Sequence, residues 1–183
     1  MTTTWQLDNA HSAVEFSARH MMVSTVRGRF DRFEVTLEAD EQSPETSSVV
    51  ARIDTASINT GQEQRDAHLR SADFLATEEY PEITFRSTRV EKAGQGEYLV
   101  TGDLTIRGET HPVTLKTEFA GIVRNLQGGR SAGFSAEAKI SRKEWGLTWN
   151  VALESGGWLV GDEIKVRIEL EVVQAAAAGS AAA

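Results

Sequence analysis

The stretch 163-EIKVRIELEV-172 sets Ile164, Val166, Ile168, Leu170 and Val172 on one side and Glu163, Lys165, Arg167, Glu169 and Glu171 on the other. A strict period of two belongs to an extended strand, whereas a helix would scatter both sets around its axis. At ~3.3 Å per residue the strand is roughly 30 Å long, with one face buried and the other in water. That half-wet pattern is characteristic of antiparallel sheet.

The same alternation recurs along most of the chain. Val14, Phe16 and Ala18 face away from Glu15, Ser17 and Arg19, and further repeats run through Phe33, Val35 and Leu37, through Val49, Ala51 and Ile53, and through Ile83, Phe85 and Ser87. Leu104 and Ile106 precede the turn RGET at 107–110, and Val113, Leu115, Thr117 and Phe119 follow it, which reads as a hairpin. Pro112 marks a strand start or an edge. Phe134, Ala136, Ala138 and Ile140 form another alternating set. Long half-wet strands must hide their sheet edges, which a closed barrel or a two-sheet sandwich does. The length of the final strand favours the barrel, since tilted barrel strands outrun the common ~5 to 6 residues. The expected fold is therefore all-β, an extended antiparallel β-barrel of about eight strands. Its inward set mixes Phe16, Phe33, Phe85, Phe119 and Phe134 with Ala18, Ala51, Ser87, Ala136 and Ala138. Two outcomes stay open: an interior packed to ordinary density, or a void beside the small residues.

One segment breaks the strand pattern, 65-RDAHLRSADFLATEEYPEITF-85. Thr60 and Glu63 have capping-box spacing, and Asp66 and Arg70 have the spacing of a favourable i,i+4 pair, so a short helix is expected over Gln62 to Ser71. Its apolar stripe is too thin for a core helix, and the expectation is that it covers a barrel mouth, with Phe74, Leu75 and Tyr80 tucking the connection down before Pro81.

Composition narrows the function classes. The 183 residues carry a net charge of −8, no cysteine, 40% hydrophobic and 7% aromatic residues, which fits one domain. The acidic balance and the absence of a Lys/Arg stripe argue against nucleic acid and against electrostatic membrane docking. Without cysteine there is no disulfide, thiolate nucleophile or Cys-ligated metal. Neither a secretory leader nor an apolar run of ~20 residues is evident, so no stable membrane insertion is expected and the chain reads as cytoplasmic, or periplasmic if a signal segment has been removed. The alanine-rich stretch 175–183 reads as a disordered end or a cloning remnant, outside the 1–174 domain.

The segments 11-HSAVEFSARHMMVSTVRGRF-30, 65-RDAHLRSADFLATEEYPEITF-85, 102-GDLTIRGETHPVTL-115 and 140-ISRKEWGL-147 match in order and spacing, so that the chain resembles the YceI-like family of lipocalin-like, polyisoprenoid-binding proteins from Trp5 to about Val173. The resemblance implies a long apolar pore holding a polyprenyl chain, such as a polyprenyl pyrophosphate or the tail of an isoprenoid quinone, for carriage, storage or protection, with homodimers common. Phe16, His20, Phe30, His68, Leu69, Phe74 and Phe85 fall at its pore or mouth positions. Alternation alone adds Phe119, Phe134 and Ile168 as lining. Arg65 and Arg70 are head-group candidates, through charged or bidentate contacts, against the alternative of a solvated helix with internal ion pairs.

Other readings stay beside this one. His11, His20, His68 and His111 lack tight metal-ligand spacing, and no metal or cofactor is expected. Trp145, Trp149 and Trp158 form either a flexible rim or loop residues pinned to the barrel end. Signatures of hydrolases, phosphate-binding loops and dinucleotide sites are missing, so a binding protein rather than an enzyme is expected. The alternatives are a structural or stress-related barrel with no lipid ligand and, less favoured, a metal-dependent enzyme.

Overall fold

The computed structural model describes residues 1–174; the alanine-rich stretch lies outside them. The chain forms β1 (Thr3–Leu7), β2 (Ala13–His20), β3 (Ser24–Phe30), β4 (Phe33–Ala39), β5 (Ser48–Asp54), β6 (Ile58–Asn59), α1 (Glu63–Arg70), β7 (Glu82–Gly94), β8 (Glu97–Ile106), β9 (Glu109–Arg124), β10 (Arg130–Ser141) and β11 (Val160–Gln174). All pairings are antiparallel, and the pairing of β1 with β11 closes the sheet on itself.

Eleven segments make eight staves because three staves are broken. Gln6 and Leu7 face Val173 and Val172 of β11, and Ala13 and Val14 face Glu169 and Ile168, so β1 and β2 lie end to end along one strand. Between them the chain leaves the ladder in a single 3-10 turn at Asn9–His11, capped by the Asp8 carboxylate accepting from the Ala10 N–H at 3.0 Å. In the same way β3 and β4 run on from one another, as do β5 and β6, with β4 paired to β5 and β3 to β6. The order is then a simple meander back to β11, an up-and-down closed barrel of the expected kind. Outward positions on β11 carry Glu163, Lys165 and Arg167, the reverse of a membrane-spanning barrel, whose outer face is apolar.

The β8–β9 hairpin turns at Arg107 and Gly108, both with positive φ (50° and 75°), the backbone of a type I′ turn whose twist suits adjoining strands. Pro112 sits inside β9, on a stretch bonded to β8 but not to β10, whose pairing stops at Lys116. Its missing N–H therefore costs the sheet no ladder bond there.

Helix α1 is shorter than expected and held differently. The capping box does not form, since Gln62 at the N-cap makes no side-chain cap. Instead the buried Asp66 accepts from both the backbone N–H and the hydroxyl of Thr60. Nor do Asp66 and Arg70 pair: Arg70 donates to the carbonyls of Ala56 (2.9 Å) and Ile58 (3.1 Å). Both side chains are drawn to backbone groups near β6 that have no ladder partner, a stronger demand than a surface ion pair.

The apolar core is divided. At the α1 end Ile58, Leu75, Ile83, Ile106, Val113, Trp145 and Leu147 form one buried cluster. At the other end Trp5, Ala132 and Val172 form a second, with Leu37, Phe119 and Phe134 packed against it.

Candidate functional site: the barrel cavity

Between the two clusters the barrel encloses a cavity of about 790 Å³. The inward side chains themselves settle the question that composition leaves open. Phe16, Phe30, Val166, Ile168 and Leu170 all face inward, yet each is only half-buried, because part of its surface borders open space. The small residues Ala18, Ala51, Ala136 and Ala138 also line the wall, so the void lies beside them. Two members of the expected inward set are absent from it. Phe33 stands at the start of β4, opposite Ile53 where β5 is about to end, and is off the wall. Ser87 sits at a bulge in the β7–β8 ladder and accepts from the Val49 N–H at 2.9 Å.

The residues singled out from the sequence come together around this cavity. β2 and β3 supply Phe16, His20 and Phe30, with the rings of Phe16 and Phe30 5.6 Å apart. The segment between β6 and β7 supplies Arg65, His68, Leu69 and Phe74, and β7 supplies Phe85. Phe119 and Phe134 face each other across β9 and β10 with ring centroids at 5.2 Å, and Ile168 completes the set from β11. Arg70 is the exception, being off the wall with its guanidinium committed to carbonyls. Arg65 borders the cavity but donates through Nε to Thr60 Oγ1 (2.7 Å) and through Nη2 to the Thr60 carbonyl (2.9 Å). Leu104, Leu115, Ile164, Val166 and Leu170 also line it. The last three share the face of Ile168 and were recoverable from period alone.

Local structure closes the α1 end. His68 Nε2 meets Asp73 Oδ2 at 2.8 Å, and its ring stands edge-on to Phe74 (5.1 Å) and Trp149 (4.5 Å). The turn at Arg107 ties down the same segment, its Nη1 donating to the Phe74 carbonyl at 2.7 Å. Trp145 is 1% exposed and donates through Nε1 to the Leu104 carbonyl at 3.0 Å, so it and Trp149 are pinned. Trp158 is not, at 57% exposed.

Arg142 organises the loop from Leu147 to Val160. Only 2% exposed, it donates to the carbonyls of Gly161 (2.9 Å), Leu147 (2.6 Å), Trp149 (2.9 Å) and Val160 (3.4 Å). Burial pulls its pKa down, and Asp162 opposes that pull. Nothing in the local sequence RKEW distinguishes this arginine from a surface residue, because its acceptors lie up to 19 residues away.

The cavity is apolar along its length and polar at its ends. Arg19, His20, Gln62, Gln64 and Arg65 border it at the α1 end, and Asp40, Glu41, Ser47 and Ser48 at the other. The first end therefore favours an anionic or hydrogen-bond-accepting group, whereas at the second Asp40 is paired with the N-terminal ammonium at 2.8 Å and Glu41 with Arg130 at 2.6 Å, which leaves it near neutral.

The four histidines do not converge on one another's partners. His20 borders the cavity, His68 meets Asp73, and His111 stands edge-on to Trp145 at 5.2 Å. His11 lies at the break between β1 and β2, where its Nδ1 meets Asp8 Oδ2 at 3.0 Å beside Glu171. The contact raises the His11 pKa and lowers that of Asp8, both through their mutual hydrogen bond. No helix among the described residues is long and apolar enough to cross a membrane.

Comparison with known proteins agrees with the geometry. The YceI-like domain family matches residues 5–172. A UPF0312 protein of Staphylococcus aureus (strain USA300) is 40% identical over 170 residues, 92% of this chain and 96% of the relative. Among solved structures, BcnA of Burkholderia cenocepacia superposes with a TM-score of 0.75 at 25% identity, covering 92% of this chain and 99% of that one. The Campylobacter jejuni YceI protein gives 0.74 at 30% identity, covering 86% and 90%. A polyisoprenoid-binding domain from Saccharophagus degradans, at 16% identity and a TM-score of 0.59 over 94% and 98% of the two chains, shares the fold. The chain belongs to the YceI-like domain family.

Proposed function

From membership of the YceI-like family and from the hollow interior, we propose that this protein binds one long-chain isoprenoid lipid in its barrel, as a carrier, store or shield, and is not an enzyme. The observation that carries the reading is the predominantly apolar cavity of about 790 Å³, with charged side chains gathered mainly toward its two ends. Its volume falls in the ~300–1,000 Å³ range of small-molecule sites. A tilted barrel with a stave of 16 residues stands roughly 40 Å tall, so its interior suits a long, narrow, greasy chain better than a compact ligand. The polyisoprenoid-binding domain from Saccharophagus degradans supports the class of ligand by its shared fold.

Energetics are adequate without any catalytic group. Burying a few hundred Å² of prenyl surface at ~25 cal/mol per Å² contributes roughly 8 to 10 kcal/mol before the cost of association and of ordering the tail is subtracted, so micromolar binding requires a tail long enough to bury more than this. The α1 end orients the ligand, with a pyrophosphate or quinone oxygen near His20 and Arg65 and the tail directed toward Phe119 and Phe134. Arg70, committed to backbone carbonyls, plays no part in that contact.

The test is a titration of delipidated protein, preloaded with an apolar fluorescent dye, with a polyprenyl pyrophosphate and with an isoprenoid quinone. Saturable displacement at one lipid per chain is expected. A dye that neither binds nor is displaced would instead favour a structural barrel without a ligand.

A further inference from the structure

An apolar surface that the cavity does not use lies beside its α1 end. Met22 is 63% exposed, Val23 77% and Trp158 57%, with Met21 and Val151 also exposed. These side chains sit on two neighbouring turns. One is the β2–β3 hairpin tip, Met21–Val23, where Met21 and Met22 have φ of 51° and 63°. The other is the small hairpin held by the Ala152–Trp158 bridge.

Backbone contacts join the two turns into one surface. The Met21 N–H donates to the Leu159 carbonyl at 2.8 Å, and the Leu159 N–H to the Val151 carbonyl at 2.9 Å. Met22 lies over Gly157 so closely that a Cβ there would fall 2.1 Å from its sulfur. Arg19 braces the tip by donating to the Met22 carbonyl at 3.1 Å. Left-handed backbone at two consecutive methionines is costly. It turns large apolar side chains outward where polar turn residues would be ordinary.

The surface adjoins the cavity wall at the α1 end. His20, Trp149, Leu159 and Val160 flank both the apolar turns and the cavity. Beside them β3 is bonded to β2 along its whole length but to β6 only at Arg29 and Phe30, so Ser24–Gly28 present an edge without a second ladder partner. On the β2–β3 side the local charge is inverted as well, residues 16–28 containing Arg19 and Arg27 and no carboxylate in a chain of net charge −8, while the other turn carries the single carboxylate Glu154.

We infer that this rim, Met21–Val23 with Val151 and Trp158, is a membrane-docking wedge that seats the α1 end of the barrel on a phospholipid bilayer for lipid loading and release. The inference rests on the lipid-binding reading for its purpose, though not for its geometry. Exposed methionine, valine and tryptophan side chains suit the zone between headgroups and acyl chains, with the indole at the interface and Arg19 and Arg27 at the depth of the phosphates. Docking of this kind is shallow and reversible, and the remainder of the acidic barrel stays in water.

The experiment adds vesicles of phosphatidylcholine and phosphatidylglycerol to the full chain and follows sedimentation and tryptophan emission. Trp5 and Trp145 are each 1% exposed, so a blue shift on vesicle addition reports chiefly the outer indoles and should vanish in Trp158→Phe. The double variant Met22→Ser, Val23→Ser should lose roughly tenfold or more of its vesicle-bound fraction while taking up a polyprenyl alcohol from detergent micelles as the unmutated protein does. Unmutated protein that stays in the supernatant without a spectral shift overturns the inference, as does a double variant that sediments equally. A dimer that the double substitution splits, with no vesicle binding in either form, also overturns it by making the rim a seam between two copies. Vesicle binding by a protein that takes up no prenyl lipid supports the wedge and contradicts the cargo.

Discussion

The two ends of the barrel and its middle are made of the same kinds of residue and behave differently. At the α1 end Trp145, Ile106 and Leu147 are buried in one cluster, whereas in the middle Ile168 and Val166 point inward and remain half-buried. What differs is how much of each side chain its neighbours cover: the cluster residues border the cavity too, but with nearly all of their surface packed, whereas Ile168 and Val166 leave a larger part of theirs to open space. Stability is thus concentrated in two plugs, and the hollow between them is available to a ligand.

Substitutions can break or sharpen that contrast. Trp145→Ala removes a fully buried indole and its bond to the Leu104 carbonyl, and should cost about 4 kcal/mol in urea unfolding, while Ile168→Ala should cost about 1 kcal/mol and weaken prenyl binding several-fold. Equal losses of stability would mean that the middle is packed like the ends. Arg142→Met leaves carbonyls on the loop from Leu147 to Val160 without their donor, and roughly 3 kcal/mol of stability should go with it. Amide exchange should then speed up across that loop first; unchanged protection would show that the loop holds without the arginine.

Filling the hollow gives the opposite signature. Ala51→Leu adds side-chain volume to the cavity wall between Val35 and Phe85, and should change stability by less than about 1 kcal/mol while lowering prenyl affinity tenfold or more. A large loss of stability would reveal overpacking where the account has space.

The smallest effect concerns the break between β1 and β2. His11 is protonated more readily in the folded chain, so its contact with Asp8 is fully present below the ordinary histidine value of 6.5 and fades as pH rises through the raised folded value. Asp8 is held below 3.8, so the same contact fades on the acid side as pH falls through its lowered value. Amide protection at Asn9–His11 should therefore be greatest at mildly acidic pH, and a flat profile would remove the pair from the cap.

Much of this was legible in residue order. A period of two survives in single strands, so the all-β barrel and the face carrying Phe16, Phe85, Phe119, Phe134 and Ile168 were readable without contacts. The breaks in the staves were less so: the excursion at residues 8–12 is polar and short, and only the pairing of residues 6 and 14 with the same strand shows that β1 and β2 are one stave. Arg65 and Arg70 illustrate a deeper limit. Helix spacing suggested ion pairs or a head-group clamp, but the stronger demand came from carbonyls of Ala56, Ile58 and Thr60, which have no sequence signature. Phe33 failed for a related reason, keeping the strand's phase while sitting beyond the cavity.

Native mass spectrometry of the purified protein, before and after loading with a polyprenyl lipid, tests the central claim most directly. The hollow barrel predicts a single lipid adduct per chain that survives gentle transfer in the unmutated protein and disappears in Ala51→Leu. A bare chain mass under every loading condition, or an adduct indifferent to the filled cavity, would contradict it.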